Sequence, residues 1–179
     1  MNKELIRSVQ QELGRVCQNE FPRNIVEYCS VKGIKVKETD ALDKNISGLI
    51  YKNNSQYEIL VNSNQSIGRK AFTIAHELGH YFLHKEYLDS TEEIVSLSKG
   101  SYGEHPTIAR SCIIDANNQE YRRMEIEAND FAANILMPEE EFLAKCKELD
   151  SIDDVARYFG VSISAATIRA DRLGGLYFL

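Results

Sequence analysis

Ala71-Phe72-Thr73-Ile74-Ala75-His76-Glu77-Leu78-Gly79-His80-Tyr81-Phe82-Leu83-His84 is the stretch around which this chain is organised. On an α-helix, residues four apart lie on one face, one turn above each other. His76 and His80 can therefore aim two imidazole nitrogens at one metal ion. Glu77 sits at the edge of that face, placed to take a proton from a water on the metal. Zinc suits these residues, because it accepts neutral imidazole and lowers the pKa of its bound water to about 7. The spacing alone can arise by chance, and the flanks argue against that. Phe72, Ala75, Gly79 and Phe82 or Leu83 recur at helical spacing, which gives the helix a buried face beside the histidine face. A glycine inside a helix costs about 1 kcal/mol relative to alanine, so Gly79 suggests that another backbone passes close by. His84 continues the series but lies about 12 Å along the axis from His76. It is a poor third ligand and reads as the end of the helix.

The chain has 179 residues, enough for one compact domain with a core. Its formal net charge of −6 argues against a general nucleic-acid binder. Arg122-Arg123 and the Arg169/Arg172 pair are the densest basic groups, and they read as solvated faces. Cys17, Cys29, Cys112 and Cys146 form no C-x-x-C pair, the pattern of a reduced cytosolic protein with idle thiols. Cys112 could block a zinc site, but only its residue type speaks for that. The segment Met1-Asn-Lys-Glu-Leu-Ile-Arg7 lacks the apolar centre of a signal peptide, and no apolar run is long enough for a bilayer. The expectation is a soluble cytoplasmic protein with no membrane partner.

Periodicity predicts a helix over 3–18 and a second helix opened by Pro22 and ended at Gly33. Residues 34–37 alternate as a strand. Residues 48–52 and 57–61 flank the polar turn 53–56 and read as a hairpin. The polar loop 62–66 can cap the His76 helix. Residues 85–120 are the least legible. Ile108 to Ile114 reads as either an edge strand, able to hold an extended substrate backbone, or a short anchored loop.

A strong helix spans Tyr121 to Leu136, with Ala128, Phe131, Ala132 and Ile135 on one face. Met137-Pro138 closes it, and Pro138 starts another helix. Glu125 and Glu127 point about 200° apart, so they cannot both face one metal. Glu125 lies on the buried stripe and is the favoured third ligand. Glu127 borders the stripe and is the weaker candidate. Asn129, four after Glu125, can reach the same site and hydrogen-bond a ligand histidine.

Ser151-Ile-Asp-Asp154 resembles a capping box and leads to a short helix, a Gly160 turn and a last helix from Ser162 to Arg172. Such a pair is like a helix-turn-helix. From 151 to 179 the acids Asp153, Asp154 and Asp171 balance the bases Arg157, Arg169 and Arg172. A duplex-binding surface needs a basic excess, so packing on the preceding domain is the expected role.

Arg69-Lys-Ala-Phe-Thr-Ile-Ala-His-Glu-Leu-Gly-His80, Glu125-Ile-Glu-Ala-Asn-Asp-Phe-Ala-Ala-Asn-Ile-Leu-Met-Pro138 and Val155-Ala-Arg-Tyr-Phe-Gly-Val-Ser162, in this order, resemble the ImmA/IrrE family of zinc metallo-endopeptidases. The resemblance covers about residues 20–174. Its two central motifs are specific and the last is generic. It implies Zn2+ as cofactor and, as substrate, an intracellular helix-turn-helix repressor. It also points to Glu125 as the third ligand. The chain departs from the family pattern in its long segment between His80 and Glu125.

The reading is an α+β fold: N-terminal helices, a small mostly antiparallel sheet, the metal helix, then a helical C-terminal half. Residues 1–150 would form the peptidase domain and 151–179 a helical extension packed on it as one compact unit. His76, His80 and Glu125 would hold zinc, and Glu77 would be the general base and later the proton donor. Tyr81, His84, His105, Arg110 and Tyr121 are candidate oxyanion donors by chemistry alone, with Asn129, Tyr81 and Arg110 as candidate supporting groups. The alternative is a DNA- or protein-binding regulator that uses the C-terminal helices and a structural metal. A structural zinc normally has four protein ligands, whereas this chain offers three and a base.

Overall fold

The computed structural model describes residues 3–43, 45–53, 55–90 and 119–175. Its N-terminal helix, α1 (Lys3–Val16), buries Ile6, Val9 and Leu13. Phe21-Pro22 is a cis peptide, and Pro22 does not open the second helix. That helix, α2 (Ile25–Val31), starts after Asn24, whose side-chain oxygen accepts from the Glu27 N–H. An asparagine cap satisfies a donor that proline cannot, which explains the later start.

Strands β1 (Lys35–Thr39), β2 (Gly48–Asn53) and β3 (Gln56–Asn62) form a sheet in the order β1-β3-β2. The hairpin β2–β3 is antiparallel and pairs Ile50 with Ile59, while β1 runs parallel to β3 and pairs Val36 with Ile59. The sheet is therefore mixed: the hairpin is its antiparallel half and β1 its parallel half. Strand alternation sends Ile59 and Val61 into the main core and Leu60 to a small cluster with Leu42 and Leu49 on the other face. Buried Glu58 is matched by Lys37 at 2.5 Å and the Tyr51 hydroxyl at 2.7 Å.

The long helix α3 (Ile67–Leu83) crosses the sheet and packs on α5 (Gln119–Leu136), with the short α4 (Lys85–Ser90) between them in sequence. Ser66 stands at the N-cap position of α3 without a side-chain cap bond. Ala128, Phe131, Ala132 and Ile135 are fully buried. The crossing is tight. A Cβ on Gly79 would lie 2.9 Å from the Ala128 Cα and 3.1 Å from its carbonyl oxygen. Backbone cannot yield as a flexible side chain can. Gly79→Ala is therefore expected to lower stability by about 1–3 kcal/mol through overpacking, despite the better helix propensity of alanine. Denaturant unfolding checks this, and a stabilised variant would show that the helices separate freely.

α6 (Glu139–Glu148) follows Pro138, which occupies the N-cap position one residue before the helix. α7 (Ile152–Phe159) and α8 (Ile163–Arg172) are capped by Ser151 and Ser162, which accept from the Asp154 and Ala165 N–H groups. Gly160 turns between them with φ +65°, the left-handed cap that favours glycine. Phe159 packs edge-on against Phe21 at 4.9 Å and lies 5.6 Å from Phe142, so α7 closes the far end of the core. Arg169 of α8 is buried and donates to Asn134 Oδ1 of α5 at 3.1 Å. The expectation of a solvated face fails for this residue, because α8 turns it onto α5. Among the described residues no helix is long and apolar enough to cross a membrane.

Candidate active site

The α3–α5 crossing brings together three side chains that are far apart in sequence. His76 and His80 project from one face of α3, and their Nε2 atoms lie 3.1 Å apart. Glu125 of α5 places Oε2 at 3.4 Å from His76 Nε2 and Oε1 at 3.3 Å from His80 Nε2. Donors around a tetrahedral zinc at 2.0–2.1 Å are roughly 3.3–3.4 Å apart. The donor spacing therefore fits a single ion of this kind, as does the mix of two imidazoles and a carboxylate. Asn129 lies on the same side, with Oδ1 at 3.1 Å from His76 Nδ1. An amide oxygen only accepts, so His76 carries its proton on Nδ1 and turns the Nε2 lone pair toward the other donors.

Electrostatics follow from the packing. Burial pushes the Glu125 carboxyl up, but His76 and His80 outweigh it and hold the group far below the usual carboxylate range. Burial acts to lower His76, but Glu125, with help from Glu77 and Asn129, raises it above its ordinary value. A proton and a metal ion would compete for the same His76 lone pair. Burial also lowers His84, against the pull of Glu127.

Glu77 lies beside this group, 2 % exposed, and its Oε2 has no hydrogen-bond partner among the described residues. A buried carboxylate oxygen left unmatched is costly, and a bound ion with its water would supply what it lacks. Glu77, His76, Glu125 and Asn129 all open onto one cleft of about 470 Å³. Ser47 and Gly48, where the chain enters β2, line it, and so do Ala165, Ile168 and Arg169 of α8. Among the described residues β2 pairs only with β3, so an edge strand borders the cleft.

Not every residue singled out in the sequence is brought to this site. Tyr81 is turned away, with its ring edge-on to Tyr57 at 5.0 Å, because one residue past His80 on a helix is a different face. His84 caps α3 and contacts His80, while Glu127 reaches His84 rather than the three donors. Tyr121 does not line the cleft. Arg110, His105, Cys112 and the segment Ile108 to Ile114 lie outside the described residues. Of the other thiols, Cys29 is raised to about 12 by burial, which suits an inert core position. Sequence reasoning missed the cleft lining supplied by α8 and the link from Glu127 to His84. The i, i+4 spacing of His80 and His84 was the one available signal for that link.

A profile of the IrrE N-terminal-like domain, peptidase family M78, matches residues 29–171. The metallopeptidase ImmA of Bacillus subtilis (strain 168) is 30% identical over 93 residues, which are 52% of this chain and 53% of that protein. Among solved structures, a Mycobacterium tuberculosis transcriptional regulator has the same fold, with a TM-score of 0.62 at 19% identity. That likeness covers 95% of this chain and 47% of the other. The matches thus span about half the length of each relative.

Proposed function

Since this chain belongs to the family of IrrE N-terminal-like domains, peptidase family M78, we propose that it is a zinc-dependent endopeptidase of the cytoplasm. Its substrate is a helix-turn-helix transcriptional repressor. One observation carries the reading: the donors of His76, His80 and Glu125 converge beside a buried Glu77 oxygen that has no partner among the described residues. Among the described residues three protein ligands converge, and three leave a position open, which distinguishes a catalytic from a structural zinc site.

Zinc, when bound, would acidify a water and polarise the scissile carbonyl. Glu77 faces the cleft and takes the proton of the attacking water. The same carboxyl then gives that proton to the leaving amine, whose nitrogen becomes basic as the C–N bond breaks. Asn129 keeps the His76 ring oriented. The open edge of β2 offers N–H and C=O groups to an extended substrate backbone. An edge strand with this task is one of the two readings open for residues 108–114, which lie outside the described residues.

The reading is tested by incubating the zinc-loaded protein with a helix-turn-helix repressor encoded by a neighbouring gene. Expected is one new N-terminus, found by mass spectrometry and absent with chelator or with Glu77→Gln. An intact repressor under all conditions would refute the substrate assignment. A DNA-binding regulator is disfavoured because α8, the second helix of the pair, turns Ala165, Ile168 and Arg169 into the cleft. With no basic excess on residues 151–179, duplex DNA should not be retained at physiological salt. Tight binding that weakens steeply with salt in a filter assay would reverse that ranking.

A further inference from the structure

We infer that Glu127 and His84 form a hydrogen-bonded relay that fixes the ring orientation and tautomer of His80, and so sets the zinc affinity from two side chains away. The inference rests on the metal site proposed above and extends it to residues that touch no donor directed at the ion. His80 Nδ1 lies 3.1 Å from His84 Nδ1, and His84 Nε2 lies 3.0 Å from Glu127 Oε2. Both histidines are buried.

The protons follow from the chemistry of the groups. A carboxylate only accepts, so His84 carries a proton on Nε2. With its proton on Nε2, the imidazole of His84 has its lone pair on Nδ1, the atom that faces His80. Two facing ring nitrogens need one proton between them, and His80 Nδ1 must supply it. His80 is then left with its lone pair on Nε2, the atom that faces His76 and Glu125. Without an acceptor on His84, nothing would hold the His80 proton on Nδ1, and a His80 ring protonated on Nε2 could not ligate.

The arrangement comes from one helix. α5 supplies Glu125 to the donors, Asn129 to His76, and Glu127, through His84, to His80. Its register against α3 is held by the Gly79–Ala128 contact. Arg123 also pairs with Glu127, Nε to Oε1 at 3.5 Å, and is mostly exposed. It competes weakly for the outer oxygen and leaves Oε2 to His84.

The test measures zinc affinity of the full-length protein by chelator competition. Glu127→Ala and His84→Phe are each expected to weaken binding about 10–100-fold, the range for groups that orient a metal ligand. The double variant should bind no more weakly than His84→Phe alone, because the glutamate acts only through the histidine. His84→Gln and Glu127→Gln each restore an acceptor and should recover most of the affinity. In zinc-loaded wild type, a slowly exchanging His80 ring N–H should appear in the proton NMR spectrum and vanish in His84→Phe. If His84→Phe does not fold, the two Glu127 variants decide alone. The inference is overturned if Glu127→Ala binds within about twofold of wild type or if the two losses add. Wild type that binds no zinc would overturn the metal site as well. Wild type that binds while Glu127→Ala is unchanged would overturn only the relay.

Discussion

Glu77→Gln is expected to cut peptide hydrolysis about 10²–10⁴-fold, the usual contribution of a positioned general base, while zinc stays bound. The amide has nearly the same shape but cannot take a proton from water. The fold should survive the change. Glu77 Oε2 makes no hydrogen bond to the described residues, so no such bond is lost. Replacing a buried carboxylate by a neutral amide also removes a desolvation cost. The measurement is single-turnover cleavage of the repressor by both proteins at matched zinc content. Cleavage at the wild-type rate would remove Glu77 from the mechanism.

Glu125→Ala is expected to have the largest effect on the metal. Glu125 is the anionic donor opposite the two imidazoles, and both histidines hold its carboxyl ionised. Without it the site has two neutral ligands and loses the charge that offsets a dication. Zinc should then be lost on dialysis, and with it all hydrolysis. Glu127→Ala should be milder, weakening zinc about 10–100-fold as a group that orients a ligand. Chelator competition on the two variants checks the order. The reverse order would mean that α5 presents its other face to the metal.

Much of this site could be read in the sequence, for a physical reason. His76, Glu77 and His80 belong to one helix, and helical geometry fixes the relation of residues four apart without tertiary information. The buried stripe of α5 likewise favoured Glu125 over Glu127, and the structure brings Glu125 to the histidines. Gly79 signalled a close backbone, and Ala128 is that backbone.

What stayed hidden depends on contacts between elements. Periodicity marks β1 as a strand but cannot say that it joins β3 in parallel. Pro22 has the chemistry of a first helical residue, yet Asn24 offers the better cap and sets the start of α2. Arg169 looks like any solvated base until α8 folds it against Asn134. Tyr81 has the chemistry of an oxyanion donor, but it stands on the wrong side of α3. The meeting of Glu127 with His84 needs the crossing point of α3 and α5, which no single-helix pattern encodes.

The central claim is that His76, His80 and Glu125 hold a catalytic metal, and elemental analysis of the purified protein tests it most directly. About one zinc per chain is predicted for wild type and for Glu77→Gln, as three ligands and an open position imply. Almost none is predicted for His76→Ala, His80→Ala or Glu125→Ala after dialysis against a weak chelator. Full zinc occupancy in His80→Ala, or no zinc in the wild type, would contradict the account.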